Sequence, residues 1–259
     1  MLGFFRSKAA KRRPSVPPGT RVYAIGDIHG RRDLLDRLIE SIVADDAARE
    51  PARTQIIFLG DLVDRGPDSK GVMQRVIDLT RELSHVTVLQ GNHEEVFLLA
   101  LDGDREAMRF FTRIGGRETI LSYGVSETDY RTADFDELLA LFSARVPEEH
   151  VTFLRGLDQT VAVGDYLFVH AGIRPGVAID EQSSADLRWI RGEFLDHSGD
   201  HGCVVVHGHT PADDVEMLHN RIGIDTGAWE TGRLTALALE GDQRWIIDTT
   251  DAGGVAVAA

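Results

Sequence analysis

The sequence predicts an α/β protein in which a parallel β-sheet is followed by a second, more antiparallel sheet. Three apolar, β-branched runs in the first half each end at a polar residue, and Asp27, Asp61 and Asn92 follow one another at intervals of 34 and 31 residues. Such intervals fit the roughly 30 or more residues of one strand–helix–strand unit. Parallel strands place their carboxyl ends at one edge of a sheet, where α/β proteins bind ligands.

The first half of the chain alternates strands with helices. We expect strands at residues 21–25, 56–59 and 86–89. Two sets of apolar residues recur at helical spacing between them: Leu34, Leu35, Leu38, Ile39 and Ile42, then Val72, Met73, Val76, Ile77 and Leu79. Residues 95–156 are mainly helical in pattern and carry no recognisable chemistry, so we interpret them as an inserted helical cap that shapes the approach of the substrate.

Shorter elements follow the cap. The apolar runs predict five strands, at residues 166–169, 203–206, 221–225, 233–239 and 244–247. Glycine turns separate the last three, and this pattern favours the second, more antiparallel sheet. Residues 183–191 predict a short helix or turn. Since no internal repeat or low-complexity linker divides the chain, we expect one domain over residues 21–248.

The two ends of the chain are predicted to lie outside this domain. Residues 1–20 carry five basic residues and three prolines, a composition typical of a flexible arm. Weak docking of this arm on a membrane surface or a partner is the alternative. Residues 249–259 predict a loose tail.

Composition excludes several classes of function. With 42% hydrophobic and 27% charged residues, the 259-residue chain resembles ordinary soluble proteins. A net charge of −14 argues against binding nucleic acid or stable association with anionic membranes. The single cysteine, Cys203, cannot form an internal disulfide and lacks the Cys-x5-Arg arrangement of a nucleophilic phosphatase. We therefore interpret Cys203 as a core residue and expect a cytoplasmic protein.

Five predicted strands end in polar motifs: Gly26-Asp27-Ile28-His29-Gly30, Gly60-Asp61-Leu62-Val63-Asp64-Arg65-Gly66, Gly91-Asn92-His93-Glu94, His170-Ala171-Gly172 and Gly208-His209-Thr210. Their candidate metal ligands offer carboxylate, amide and imidazole groups: Asp27, His29, Asp61, Asn92, His170 and His209. This set suits Mn²⁺, Fe or Zn²⁺. Six ligands exceed the needs of one open metal site, but two ions about 4 Å apart would use them if one carboxylate bridged. The central Asp61 is the candidate bridge.

In their order and spacing, these five motifs resemble the signature of the PPP-type serine/threonine protein phosphatases, within the calcineurin-like metallophosphoesterase superfamily. The resemblance covers about residues 21–245. It implies a four-layer α/β/β/α fold, with a central two-sheet β-sandwich flanked by helices. It also implies two divalent metal ions, with Mn²⁺ favoured over Fe or Zn²⁺, one held by Asp27, His29 and Asp61 and the other by Asp61, Asn92, His170 and His209.

The same resemblance implies the catalytic roles. Arg65 would clamp the phosphate oxygens bidentately, and Arg191, on a looser local match, would be a second clamp. His93 would be the general acid and Asp64 its hydrogen-bonding partner. The implied mechanism is direct in-line attack of hydroxide activated by the two metals, without a covalent phosphoenzyme. Taken singly, these residues also fit capping, core or surface salt-bridge roles, and only the constellation favours a site.

The substrate expected from this resemblance is a phosphorylated protein or peptide. Asp64 and Glu94 favour a phosphoprotein phosphatase over symmetrical dinucleoside polyphosphate hydrolases, which resemble it in scaffold but tend to replace both residues. That hydrolase is the main alternative, together with a phosphotyrosine-preferring member of the same family. A metal-dependent nuclease lacks support in the net charge of −14. A catalytically silent phosphoprotein-binding module would need a damaged site, whereas His93, Asp64 and Arg65 are all present.

Overall fold

The computed structural model describes residues 13–250, which form ten strands and eleven α-helices. The strands are β1 (Thr20–Ile25), β2 (Arg53–Phe58), β3 (Val86–Val88), β4 (Thr160–Val163), β5 (Tyr166–Val169), β6 (Val204–His207), β7 (Glu216–Met217), β8 (Arg221–Gly223), β9 (Thr235–Glu240) and β10 (Gln243–Asp248). The helices are α1 (Arg32–Ala47), α2 (Ser69–Glu82), α3 (Asn92–Leu101), α4 (Arg105–Phe111), α5 (Arg117–Ser122), α6 (Glu127–Thr132), α7 (Phe135–Ser143), α8 (Glu148–Arg155), α9 (Ser184–Trp189), α10 (Gly192–Leu195) and α11 (Ala228–Thr231). A kinked turn with Gly115 at a φ of 117° covers Thr112–Gly116, and a 3-10 turn covers Ile179–Glu181.

The first sheet has the strand order β10-β9-β1-β2-β3. Strands β1, β2 and β3 are parallel, as the spacing of the motifs predicts. The assignment of residues 233–239 and 244–247 to the second sheet is wrong, because β9 pairs antiparallel with β1 and β10 with β9. The physical reason is that β9 is buried on both faces, which suits an interior position beside β1 better than a place near a sheet edge.

The second sheet has the strand order β4-β5-β6-β8-β7. Strands β5, β6 and β8 are parallel, and β4 and β7 pair antiparallel at the two edges. Sequence analysis missed both edge strands, since β4 is only partly buried and β7 is two residues long. The second sheet is therefore more parallel than predicted.

The two sheets pack face to face with helices outside them. Apolar residues of β1, β2 and β9 share one core with residues of β5, β6 and β8. The other face of the first sheet packs against α1, α2 and the cap helices, and the outer face of the second packs against α9 and α10. Half-buried Cys203 lies beside this last core. The predicted four-layer α/β/β/α fold is confirmed.

Helices α3 to α8 fill residues 92–155, where the pattern predicts helices. Four aromatic rings form the centre of this helical region: Phe97, Phe111, Tyr123 and Phe142. Phe97 and Phe111 stack with their centroids 5.5 Å apart. Stacked aromatic rings contribute large buried areas, so the region has a core of its own beside the sheet edge.

Two residues of the predicted N-terminal arm, Ser15 and Val16, contact the domain. Val16 is buried, its N–H donates to the Gly241 carbonyl at 2.9 Å, and the Ser15 N–H donates to the Asp165 carboxylate at 2.8 Å. The basic residues of positions 1–12, like the tail after residue 250, lie outside the described residues. Within residues 13–250, every helix is too short or too polar to span a bilayer.

Candidate active site

Five strand ends meet along one edge of the sandwich. β1, β2 and β3 of the first sheet and β5 and β6 of the second lead directly into the polar motifs. The six predicted metal ligands follow these strands and are all buried: Asp27, His29, Asp61, Asn92, His170 and His209. Residues separated by as much as 182 positions are thus in hydrogen-bonding contact, as where the His209 N–H donates to Asp27 at 3.0 Å.

Asp61 lies at the centre of the site. Its Oδ2 is 3.5 Å from Nε2 of His29, and its Oδ1 is 3.4 Å from Nε2 of His170. Two sets of candidate ligand atoms, each within 4.8 Å of one another, share Asp61: one adds His29 and His93, the other His170 and His209. Burial acts to raise the pKa of Asp61, but the surrounding imidazoles outweigh it and hold that pKa below its usual range.

Backbone carbonyls fix the orientation of two of the histidines. The Nδ1 of His29 donates to the Val63 carbonyl at 2.8 Å, and the Nδ1 of His170 donates to the Leu59 carbonyl at 2.8 Å. Each Nε2 lone pair is therefore directed towards Asp61, and Nε2 of His29 is buried without any hydrogen-bond partner. Burial also lowers the pKa of both histidines, which favours the neutral form that binds metals. These residues fit a dinuclear metal site.

The remaining predicted ligands, Asn92, His209 and Asp27, lie near this centre. Oδ1 of Asn92 is 2.9 Å from Nε2 of His170 and 2.8 Å from Nδ1 of His209. Asp27 lies outside the two sets that share the central carboxylate. Burial, with the nearby Asp225, raises the pKa of Asp27 well above its usual range. The turn residue Asp225 is thus in direct electrostatic contact with the site.

Backbone strain is concentrated at this edge. Within residues 13–250, the non-glycine residues with positive φ are all predicted site residues: His29, Asp61, Asp64, Arg65 and His209. Their φ angles lie between 47° and 74°. A non-glycine residue in this left-handed region costs of order 1–3 kcal/mol and persists only where its surroundings fix it. The fold therefore holds these side chains in place at the expense of its own stability.

Glu94 holds the strained loop. Its fully buried carboxylate accepts the N–H groups of Asp61 at 2.8 Å, Leu62 at 2.7 Å and Gly91 at 2.9 Å. Burial, with nearby Asp61, raises the pKa of Glu94 to about 7. A Cβ at Gly91 would lie 2.2 Å from Oδ1 of Asp61, so only glycine allows this approach. Glu94 thus stabilises the site through hydrogen bonds to its backbone N–H groups.

His93 and Asp64 form a buried pair. Nδ1 of His93 lies 2.6 Å from Oδ2 of Asp64, and its Nε2 lies 3.1 Å from Nη2 of Arg65. Burial acts to lower the pKa of His93, but the carboxylates of Asp61 and Asp64 outweigh it and raise that pKa. Burial also raises the pKa of Asp64, against the hydrogen bonds it accepts. The pair places one imidazole nitrogen beside the predicted phosphate clamp.

The cap contributes two residues that sequence analysis missed. The Thr119 hydroxyl donates to Oδ1 of Asp64 at 2.6 Å and accepts the N–H of the same residue at 2.9 Å. The carbonyl of Gly115 accepts the N–H of Arg65 at 3.0 Å. A single threonine in a helical pattern gives no signal, although the Gly115-Gly116 pair marks an irregular turn there. The cap therefore helps to position both the His93–Asp64 pair and Arg65.

Arg191 lies beside the Gly208-His209-Thr210 motif. Its exposed guanidinium donates to the Thr210 hydroxyl at 3.2 Å and to the His209 carbonyl at 3.3 Å. His207, two residues before His209, instead packs its ring against Phe194 at 5.0 Å, behind the second sheet. The structure thus brings Arg191 to the site and turns His207 away from it.

A family model confirms what the geometry indicates. The calcineurin-like phosphoesterase model matches residues 20–231, which include all five motifs. The chain belongs to this family. The superfamily predicted from the motifs is confirmed, as are the hydrolase and metallophosphoesterase assignments.

Two curated relatives of this chain are named for nucleotide substrates. The chain is 28% identical to the asymmetrical bis(5'-nucleosyl)-tetraphosphatase PrpE of Anoxybacillus flavithermus, over 82% of this chain and 88% of the relative. It is 32% identical to the symmetrical bis(5'-nucleosyl)-tetraphosphatase of an Acidovorax species, over 62% of this chain and 47% of the relative. Protein phosphatases are not specifically favoured by these matches.

Solved structures share the fold of this phosphoesterase. One, provisionally assigned as a diadenosine tetraphosphatase, superposes with a TM-score of 0.62 at 21% identity, over 92% of this chain and 98% of the other. A cold-active protein-tyrosine phosphatase of a psychrophilic Shewanella species has a TM-score of 0.57 at 18% identity, over 90% of this chain and 80% of the other. At these identities the likeness concerns the fold.

The structure explains why the residues used to choose a protein substrate are weak guides. Asp64 and Glu94 are both fully buried. Asp64 contacts His93 and Thr119, and Glu94 contacts backbone N–H groups. Neither side chain faces the open side of the site, so neither reads the substrate by contact.

Proposed function

We propose that this chain hydrolyses dinucleoside polyphosphates, cleaving one phosphoanhydride bond in a metal-dependent reaction. The observation that carries this choice is the similarity to the asymmetrical bis(5'-nucleosyl)-tetraphosphatase PrpE over 82% of this chain and 88% of that relative. Asymmetrical cleavage of diadenosine tetraphosphate yields ATP and AMP. The phosphoester hydrolase chemistry rests on membership of the family and on the two ligand sets that share Asp61.

Two divalent ions are the cofactors in this proposal. One is assigned to Asp27, His29 and Asp61, and the other to Asp61, Asn92, His170 and His209. When bound, such ions lower the pKa of a coordinated water and neutralise charge on the phosphoryl group. We expect Mn²⁺, with Fe or Zn²⁺ as alternatives, because the ligands are oxygen and imidazole nitrogen atoms without thiolate.

The chain's own residues bind and orient the substrate. In this assignment Arg65 and Arg191 grip the equatorial oxygens of the phosphoryl group, which guanidinium groups do bidentately. His93 gives a proton from Nε2 to the departing oxygen, while Asp64 keeps the other ring nitrogen fixed at 2.6 Å. Nε2 of His93 and the Arg65 guanidinium are 3.1 Å apart. The acid and the clamp would therefore contact the same phosphoryl group.

A phosphoprotein phosphatase is the second candidate, and one specific observation favours it. The buried His93–Asp64 pair is intact, and a general acid matters most when the leaving group is a poor one. A serine or threonine alkoxide is a far poorer leaving group than a nucleotide phosphate, whose second pKa is about 6. A phosphotyrosine substrate falls between them. The acid pair therefore fits phosphorylated peptides at least as well as dinucleotides.

Turnover of both substrate classes by one preparation tests the proposal. The purified protein with Mn²⁺ is assayed on diadenosine tetraphosphate and on phosphoserine, phosphothreonine and phosphotyrosine peptides. We expect the highest kcat/KM on the dinucleotide, with ATP and AMP as products. Formation of ADP alone would show symmetrical cleavage, and a higher kcat/KM on any phosphopeptide would overturn the proposal in favour of the second candidate. Asp61→Asn, which removes the shared carboxylate, is the control for contaminating activity.

A further inference from the structure

Two exposed aromatic rings flank the candidate active site. Most large apolar side chains in residues 13–250 are buried, yet Phe110 is 40% and Trp229 39% exposed. Neither ring is required by the metal ligands or by the acid pair. Rings with one buried side and one open side suit stacking against a planar ligand.

Trp229 lies beside the phosphate clamp. The guanidinium carbon of Arg65 is 5.7 Å from the centroid of the Trp229 ring. The surrounding backbone is fixed, because Arg31 donates to the Ala228 carbonyl at 3.1 Å and the Thr231 hydroxyl donates to the Gly227 carbonyl at 3.0 Å. The Trp229 ring therefore borders the site next to Arg65, which would hold the phosphate. The turn that carries the ring is fixed by these hydrogen bonds.

A second aromatic surface lies near His209. The Trp189 ring is 6.3 Å from the His209 ring, and its Nε1 donates to Glu95 at 2.6 Å, which fixes the ring plane. Phe110 from the cap packs 6.0 Å from Trp189. The site is thus bordered by one aromatic ring on the Arg65 side and by an aromatic pair on the His209 side.

We propose that Trp229 is the stacking surface for the base of the nucleotide whose phosphate Arg65 holds, and that Phe110 with Trp189 is the surface for the distal nucleoside. This inference rests on the proposed function. A dinucleoside polyphosphate carries a base at each end of an anionic chain, and the site offers guanidinium groups flanked by aromatic rings. Stacking on an aromatic ring changes nucleic-acid affinity by about 5- to 150-fold per base. Since stacking uses only the face of the base, adenine and guanine nucleotides should bind alike.

Binding of AMP and of ribose 5-phosphate to the Mn²⁺-loaded protein, measured by isothermal titration calorimetry, tests the Trp229 surface. Both ligands carry a phosphate, and only AMP has a base. The ratio of their Kd values therefore reports the base and cancels any change at the phosphate. We expect AMP to bind about 5- to 150-fold more tightly in the wild type. Trp229→Ala should bring the ratio close to one, and Trp229→Phe should keep most of it.

Leu218→Ala is the matched control. Leu218 is 44% exposed and lies in the turn before β8, at the end of that strand farther from the site. The ratio of Kd values in this variant should therefore equal that of the wild type. A wild-type ratio of one, or a ratio that Trp229→Ala leaves unchanged, would overturn the inference. Equal weakening of both ligands by Trp229→Ala would also overturn it, because the ring would then act only through Arg65.

This binding test is independent of turnover. If the wild type does not cleave diadenosine tetraphosphate but the ratio depends on Trp229, the proposed function fails and the base surface stands. If it does cleave the dinucleotide, Phe110→Ala tests the second surface. That variant should raise KM for diadenosine tetraphosphate and leave the AMP ratio unchanged, and an unchanged KM would remove the second surface.

Discussion

Removing one hydroxyl from the cap should impair both folding stability and proton transfer. Thr119 is fully buried, and its hydroxyl donates to Oδ1 of Asp64 at 2.6 Å. In Thr119→Val this oxygen loses its only protein donor among the described contacts, while the Asp64 N–H keeps the Ser69 hydroxyl at 2.9 Å. A hydrogen bond to a buried carboxylate contributes about 1.5–3 kcal/mol. For a chain of this size the thermal midpoint should fall by about 3 to 12 °C.

The catalytic consequence is specific to the leaving group. Asp64 with a free oxygen can rotate away from His93, so the acid is less well oriented. We expect kcat/KM with Mn²⁺ to fall by about ten- to a hundredfold on phenyl phosphate and far less on p-nitrophenyl phosphate, whose leaving group needs no proton. Thr119→Ser keeps the hydroxyl and should retain most activity. Equal losses on both esters, or equal losses in the serine and valine variants, would refute a positioning role for Thr119.

Three further predictions follow from the same geometry. His93→Asn should keep both metal ions, measured by inductively coupled plasma mass spectrometry, and lower turnover of esters with poor leaving groups by about 100-fold or more; an unchanged rate would remove its role as the acid. Gly115→Ala should raise KM for phosphate esters, because a Cβ there would lie 2.6 Å from Cγ of Arg65 at a φ of 117°, whereas a wild-type KM would show that the clamp does not depend on this contact. His150, bonded to the Tyr123 hydroxyl at 2.8 Å, has a pKa that burial lowers, so its contribution to stability is present above about pH 6.5 and lost as pH falls below it. In thermal unfolding at pH 7.5 and 5.5, His150→Gln should therefore show a smaller acid-induced loss than the wild type, and an equal loss would contradict the assignment.

Much of the first sheet and of the site was predictable because each signal is local. A strand followed by glycine and a carboxylate or histidine can be recognised from about ten consecutive residues, as at Asp27 and Asp61. The place of β9 was not, because its partner β1 lies more than 200 residues earlier: Ala236 pairs with Ile25. Alternation of apolar residues indicates that a segment is a buried strand, but it does not identify the strand with which that segment pairs.

The cap contacts were unpredictable for a related reason. Thr119 becomes a partner of Asp64 only when α5 packs over the loop after β2, 55 residues away in sequence. The choice of substrate meets the same difficulty. By residue type, Asp64 and Glu94 favour a protein substrate, whereas both side chains are fully buried in the protein interior. Residue types identify the reaction here, and only their exposure tells which of them can select a substrate.

The positive φ angles of the site residues imply a trade-off between folding stability and activity. Replacing Asp64 or Arg65 by glycine would relax a backbone strain of order 1–3 kcal/mol while deleting the predicted partner of the acid or the predicted phosphate clamp. Selection for heat resistance alone would therefore accept inactive variants at these positions. Libraries that aim to make this protein more robust should hold these strained residues constant and seek stability in the outer helices.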